Sequence, residues 1–363
     1  MIYHLILLLS ICFIYLIFGD KPSNRKNNVI FMSFCLWAFY SLRSWTVGSD
    51  TVRYYANFVF ASDMSFTEIW SYYESREPVF YSFCKVISFV VNNPQFFVAV
   101  VGAIVCSSFA YFAYHQKGNV LLMYVLFVTL RVFPFMMSGM RQAIAMSILL
   151  VSYVYMQKGY KMRYWAGSSL AFLFHTSSII VPLVVYGLGK LRKFNLFPFI
   201  CIMIGVITAA VGGVLSSVVE LLFSGDKYIN YSNATNESFR IGGTFLLYAV
   251  MYLAIWLKKG KMSKTEDGFN LEFGMLSVAM MFSIMSLRIP TAFRMAYYFQ
   301  FPMFSMATSL ISSIWGNKNK SIVVFITVLV MITQYMVLGS GADVEKYEFF
   351  WDNPYYYIYD DLK

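Results

Sequence analysis

MIYHLILLLSICFIYLIFGD, residues 1–20, carries no Lys, Arg, Asp or Glu before Asp20. It has neither a basic stretch ahead of its apolar run nor an A-x-A-like cleavage site, so it reads as a membrane helix and not as a removable signal. Roughly 20 apolar residues cross the hydrocarbon of a bilayer, and this stretch nearly fills that length. Comparable runs recur near 29–45, 79–92, 95–114, 120–137, 139–157, 164–188, 196–223, 243–257, 270–288, 293–314 and 321–339. They predict an all-α, polytopic integral membrane protein with about eleven or twelve transmembrane or re-entrant helices. Residues 1–363 are expected to form a single membrane domain.

Composition agrees. The chain is 59% hydrophobic, 20% aromatic and 13% charged, against roughly 45–50% apolar and 25% charged in soluble chains. Lys plus Arg number 28 and Asp plus Glu 18, a net charge of +10. In a soluble protein that balance points to nucleic acid. In a membrane protein it arises from the retention of Lys and Arg in cytoplasmic loops, and no nucleic-acid partner is expected. Cys12, Cys35, Cys84, Cys106 and Cys201 all lie inside apolar runs without paired spacing, so they indicate neither a disulfide framework nor a metal site.

The polar connectors are of two chemical kinds. One is lysine-rich and includes Lys21, Arg25 and Lys26; Lys117; Lys158, Lys161 and Arg163; Lys190 to Lys193; Lys258 to Lys264; and Lys318 with Lys320. By the positive-inside rule these face the cytoplasm. The others, near 46–78, 134–141, 224–242 and 286–294 and in the tail 340–363, are almost free of lysine and are expected to face outward. Strict alternation of crossings conflicts with this pattern unless two segments do not cross. The first is 79–92, short and interrupted by Lys85, which reads as a surface or re-entrant helix. The second is the run broken at His175-Thr176-Ser177-Ser178, which reads as a hairpin opening outward.

Eleven residues are arginine. Arg25, Arg163 and Arg192 sit among the lysines, whereas Arg43, Arg53, Arg76, Arg131, Arg141, Arg240, Arg288 and Arg294 fall in outward segments or at helix ends approaching them. Positive charge alone would be met by lysine. Arginine adds a planar fork that grips phosphate or carboxylate through two parallel hydrogen bonds. Arg131, Arg141, Arg288 and Arg294 lie within or beside apolar runs, where a charge costs about 2.5–3.5 kcal/mol on insertion scales. The set points to an anionic ligand on the outer side, while any single member could instead snorkel to headgroups or pair with Asp50, Asp63 or Glu77. The three histidines, His4, His115 and His175, are scattered and there is no D-x-D, so a metal site is not expected.

Four stretches carry a pattern of their own: GSDTVRYY at 48–55, REPVF at 76–80, SGMRQAIAMS at 138–147 and AFLFH at 171–175. In order and composition they resemble the EpsG-type family of Wzy-like polysaccharide polymerases, as do RIPTAFRMAYYF at 288–299 and NPYYYIY at 353–359. The resemblance implies a fold similar to the GT-C-type membrane glycosyltransferases and an active site facing the exterior of a bacterial cytoplasmic (inner) membrane. It implies an O-antigen, capsule or exopolysaccharide polymerase that joins undecaprenyl-diphosphate-linked repeat units, serving as donor and acceptor, with no cofactor. Membrane lipids and a Wzz-like chain-length regulator are the further partners it implies. An O-antigen ligase uses the same donor but normally shows a larger outward domain, and a flippase places charges along a midplane pathway; both fit less well.

Within that frame the arginines acquire an anion, the lipid diphosphate whose charge grows as the glycosidic bond breaks. Arg141 comes first, because it starts a helix whose unpaired N–H groups already favour an anion. Arg288 and Arg294 come next, then Arg131 and Arg43. An acceptor hydroxyl needs a general base or orienting acceptor, for which the sequence leaves Asp50, Glu77 and His175 open. Each has a plainer alternative: a turn or cap for Asp50, an ion pair with Arg76 for Glu77, a satisfied core position for His175. Tyr54 and Tyr55 offer faces for sugar stacking and Gln142 offers donors, although an interfacial aromatic belt enriches tyrosine equally. The N-x-S/T triplets at Asn230, Asn233 and Asn236 read as chance products of an asparagine-rich loop.

Overall fold

A computed structural model describes residues 1–73, 77–191, 194–222, 237–259, 266–289, 291–315, 320–339 and 344–353. Their regular structure is helical throughout. The first ten helices are α1 (Ile2–Phe18), α2 (Arg25–Ser41), α3 (Thr51–Asp63), α4 (Phe66–Tyr72), α5 (Pro78–Val90), α6 (Pro94–His115), α7 (Val120–Thr129), α8 (Val132–Ser138), α9 (Met140–Gln157) and α10 (Lys161–Phe174). Then come α11 (Ile180–Leu188), α12 (Phe197–Leu222), α13 (Glu237–Leu257), α14 (Glu266–Met285), α15 (Ala292–Tyr297), α16 (Phe301–Trp315) and α17 (Lys320–Leu338). The chain divides into two compact units, one of residues 1–179 with 339–363, the other of residues 180–338.

Pro94–His115, Gly268–Met285 and Ser321–Leu338 are long and apolar enough to cross a membrane, and the bent pair α7–α8 makes a fourth if taken as one span. The expected crossings at 2–19, 196–223, 243–257 and 293–314 fall on the shorter apolar helices Ile2–Phe18, Phe197–Val211, Phe245–Leu257 and Phe301–Ile311. Pro78–Val90 and Thr176–Leu188, also shorter apolar helices, lie in the two segments expected not to cross. Large apolar side chains such as Phe13, Phe34, Phe89, Phe325 and Leu329 are exposed on these helices, the surface a lipid-facing helix presents.

In the first unit every residue of α7 and α8 is buried. A helix apolar on all sides belongs at the centre of its bundle, and α1, α2, α6 and α9 pack around this pair. The run 120–137, which reads as one crossing, is in fact broken: α7 and α8 meet at 53°, with Arg131 at the break in the left-handed region at φ 65°. The expected loop 46–78 is also more ordered than its polarity suggests. It folds into α3 and α4, the latter begun by a Ser65–Glu68 capping box. The interruption at His175 is a one-turn 3-10 helix, Thr176–Ile179, between α10 and α11.

Hydrogen bonds sort the two ends of this bundle. At one end Arg25 donates to the carbonyls of Ala113, Tyr114, Gln116 and Gly118, capping the end of α6. Gln116 also binds Gln157 at the end of α9. Lys21, Lys26, Lys117, Lys158 and Lys161 flank these residues in sequence, so the lysines collect here. At the opposite end, Gln95 at the start of α6 donates to the carbonyl of Arg43 just past α2 at 3.1 Å. The beginning of α9 and the end of α10 lie at that end as well, because both helices run between the two. The lysine-rich connectors of this unit therefore share one end of the bundle, and Arg43 and Arg141 lie at the other.

The C-terminal segment returns to the same end. Ser44 N–H donates to Glu348 at 2.8 Å and Phe350 N–H to Leu42 at 2.9 Å, forming an antiparallel bridge between Arg43 and Phe349. Tyr347 donates to the carbonyl of Phe39 at 2.8 Å and stacks on its ring, and a His4 ring nitrogen lies 2.8 Å from the Val344 carbonyl.

In the second unit α12 packs along α14. A Cβ at Gly205 would stand 3.0 Å from the Met281 carbonyl, which explains the glycine at that crossing. Tyr248 and Tyr252 of α13 hydrogen-bond Leu276 and Ser277 of α14. The expected outward loop 224–242 lies outside the described residues up to Asn236, as do Asn230, Asn233 and Asn236.

Candidate functional site

Glu77 precedes Pro78 at the start of α5 and sits at φ 65°, ψ 66°. A residue before proline is normally extended, and a side chain held at positive φ costs about 1–3 kcal/mol. The contacts of its carboxylate offset that cost. Thr176 donates both its N–H, at 2.8 Å, and its hydroxyl, at 3.2 Å, to Oε1. Nδ1 of His175 stands 2.7 Å from the same oxygen. Nη1 of Arg141 lies 3.1 Å from Oε2. The glutamate side chain is only 9% exposed, whereas those of Arg141 and His175 are 25% and 24% exposed. Burial would push the Glu77 carboxyl up, but its hydrogen bond with His175, the donors of Thr176 and the charge of Arg141 outweigh burial and hold it below the usual carboxylate range.

Arg141 is the second residue of α9. Its backbone N–H, one of those a helix start leaves without an intrahelical partner, faces the Tyr54 hydroxyl at 3.4 Å. Tyr54 is buried and edge-on to Phe80. The loop ahead of Tyr54 docks on the residues ahead of Arg141. Ser49 and Ser138 share a hydroxyl contact of 2.9 Å, and Asp50 N–H donates to the Ser138 hydroxyl at 3.2 Å. Gly48 makes this docking feasible: it has φ +101°, and a Cβ there would stand 2.7 Å from Thr51 Oγ1 and 3.3 Å from Ser138 Cα.

Four separated motifs thus meet at one end of the first unit: GSD at 48–50, Glu77-Pro78, Ser138 to Arg141, and His175-Thr176. Of the expected site residues, Arg141, Glu77 and His175 are in direct contact, and Asp50, half-exposed just ahead of α3, adjoins them through Ser138. Glu77 pairs with Arg141 and His175; Arg76 lies outside the described residues. Tyr54 is brought in as a buried partner of the Arg141 backbone. Tyr55 is buried with its hydroxyl donating to Gln95, and Gln142 is buried in α9. Both therefore face protein, because the α3 and α9 faces that carry them pack inward.

The remaining arginines are placed differently. Arg43 is fully buried and donates to the Met137 carbonyl at 2.6 Å, so its guanidinium faces protein. Arg131 is buried at the α7–α8 break. In the second unit Arg288 is exposed in the turn after α14, and Arg294 is half-buried in α15. Arg53 is exposed on α3; Arg240 falls in α13.

Sequence alone does not single out Thr176, Ser138 or Ser49. Thr176 and Ser138 each sit beside or at the edge of one of the four motifs, and a hydroxyl at a helix break is the signal that could flag them. Tyr81 is stacked on Tyr73 at 3.5 Å. Among the described residues no three His, Cys, Asp or Glu side chains come together as a metal site.

Chemically, the cluster joins a permanent cation, a buried carboxylate and an imidazole. A carboxylate on Nδ1 holds a histidine in the tautomer that leaves Nε2 as the basic nitrogen. The guanidinium beside it can take up negative charge that develops on a leaving group. Comparison with curated proteins and with solved structures finds no match. A family model, that of the EpsG family, matches residues 26–352, a span that contains all four converging motifs. The chain therefore belongs to the EpsG family, a Wzy-like polysaccharide polymerase family.

Proposed function

We propose that this protein polymerises undecaprenyl-diphosphate-linked oligosaccharide repeat units at the outer face of a bacterial cytoplasmic membrane. The observation that carries the reading is the contact of Arg141 and His175 with one buried carboxylate, Glu77. In the reaction a hydroxyl oxygen on the nonreducing-end sugar of one lipid-linked unit attacks the anomeric carbon of the donor glycan. The bond from that carbon to the diphosphate oxygen breaks, and its electron pair leaves with the lipid diphosphate. Arg141 neutralises the growing negative charge. Nε2 of His175 takes the hydroxyl proton, with Glu77 holding the ring in place and stabilising the imidazolium. Among the three candidates for activating the acceptor, this assigns His175 as the base and Glu77 as its orienter.

The outward orientation is supported by the collection of lysines at the end of the bundle opposite the site, since lysine-rich ends stay in the cytoplasm. Arg288 and Arg294 are candidates for anion contact within their own unit. A Wzz-like chain-length regulator would be a further partner.

The test is reconstitution. Purified protein in liposomes receives lipid-diphosphate-linked repeat units without nucleotide sugar or added metal, and the glycans are resolved on a gel. A ladder of lengths is expected. Unchanged single repeats overturn the reading, and transfer of one block to a lipid A core acceptor would identify a ligase instead.

A further inference from the structure

Arg43 lies just past α2 with its side chain fully buried. A guanidinium cannot lose its proton in a protein, so its burial requires compensation by neighbouring groups. Nη2 donates to the Met137 carbonyl at 2.6 Å, and the guanidinium lies over the Tyr40 ring, 4.1 Å from its centroid. The Tyr40 hydroxyl in turn donates to the adjacent carbonyl of Met136 at 3.0 Å. Met136 and Met137 belong to the last turn of α8, where carbonyls lack a partner further along the helix and a cation is favoured.

This turn leads directly into the site. Ser138 receives the Gly48–Asp50 loop, Gly139 makes the bend, and Arg141 lies in the first turn of α9. The base from which Arg43 reaches is itself fixed, because the backbone on either side of it is paired with Glu348 and Phe350 and its own carbonyl accepts from Gln95.

We propose that Arg43 is a positioning residue for Arg141. It locks the end of α8, and so sets where Ser138 holds the Gly48–Asp50 loop and where α9 begins. The inference rests on the reading of Arg141 as the diphosphate partner. Arginine is required because one planar group stacks on Tyr40 while its edge reaches Met137. Lysine supplies the charge and a donor without the plane, and methionine fills similar space with neither.

The test compares R43M, R43K, Y40F and R141K in the liposome assay, by initial rate over a range of donor concentrations, together with melting in detergent. R43M is expected to lower kcat about tenfold or more with KM nearly unchanged, since a misplaced group loses transition-state contacts and not uniform binding. Its Tm should fall only modestly, because the buried charge leaves with the side chain while the Met137 carbonyl loses one donor. R43K should recover part of the lost kcat, and Y40F, which keeps the ring and removes only the Met136 bond, should cost less than R43M. Wild-type kcat in R43M beside an inactive R141K overturns this inference alone. Full activity in R141K overturns the diphosphate reading and this inference with it. If R43M does not accumulate, R43K decides: wild-type kcat there shows the plane to be dispensable and the inference wrong.

Discussion

Oε1 of Glu77 stands 2.7 Å from Nδ1 of His175, joining the start of α5 to the end of α10. The same oxygen accepts from Thr176, so the carboxylate grips two consecutive residues at the break between α10 and the 3-10 turn. The partner oxygen faces Arg141. One side chain, held in a left-handed backbone conformation, thereby ties three helix ends together.

Because the imidazole and its orienter act as a unit, their losses should not add. His175→Ala and Glu77→Gln are each expected to lower kcat by about 10²-fold or more, and the double variant should be only slightly worse than the weaker single. Initial rates of ladder formation for the four proteins check this. Independent, multiplicative losses would separate the two residues functionally.

Arg141→Lys keeps a charge at the start of α9 but removes the fork. Activity should fall by about 10²-fold or more, with normal amounts of protein in the membrane. Retained activity would return Arg141 to a headgroup-facing or structural role.

The lowered ionisation range of Glu77 sets a pH dependence of stability. A carboxyl with a depressed folded value contributes fully above its unfolded value, about 4.3, and loses that contribution as pH falls through the lower folded value. The melting difference between the natural protein and Glu77→Gln in detergent should therefore persist down to about pH 5 and shrink below about 4. A difference that vanishes already near pH 6 would contradict the assignment.

Gly48→Ala introduces a Cβ against Thr51 and the Ser138 backbone at φ +101°. A loss of about 1–3 kcal/mol is expected, larger than that of Ser138→Ala, at about 1 kcal/mol. Thermal melts of both variants, with the ladder assay beside them, distinguish docking of the loop from a general loss of fold.

Arg25 carries positive charge at the lysine-rich end, the cytoplasmic one in the proposed orientation, and also caps α6 through four carbonyls. Arg25→Lys preserves the first role and loses most of the second. Membrane orientation, read by labelling of introduced cysteines, should be unchanged, while stability falls by about 1–3 kcal/mol.

Hydropathy made the helical membrane class legible, and the partition of Lys from Arg made the two ends of the first unit legible. The features it concealed had local causes. A left-handed residue inside an apolar run, such as Arg131, leaves the hydropathy of 120–137 intact while bending the helix. The polar stretch after Trp45 hid α3 and α4, although the Ser65–Glu68 capping box was there to be read. The site was legible as a set of motifs and not as a geometry, because pairing Glu77 with Arg141 and His175 requires knowing which helix ends adjoin. The burial of Arg43 and Tyr55 was invisible for the same reason, since it depends on the segments that pack over them, the Phe349 bridge beside Arg43 and Gln95 beside Tyr55.

The first unit is assembled from the two ends of the described chain, with residues 180–338 intervening. A ribosome delivers those intervening helices before it delivers Val344 to Phe350, the residues that pair with His4, Phe39, Leu42 and Ser44. Synthesis proceeds from the amino end, so the edge beside Arg43 stays open until Val344 to Phe350 have been made. A chain stopped between residues 180 and 338 would then lack the partner that pairs with Leu42 and Ser44 and fixes the backbone on either side of Arg43.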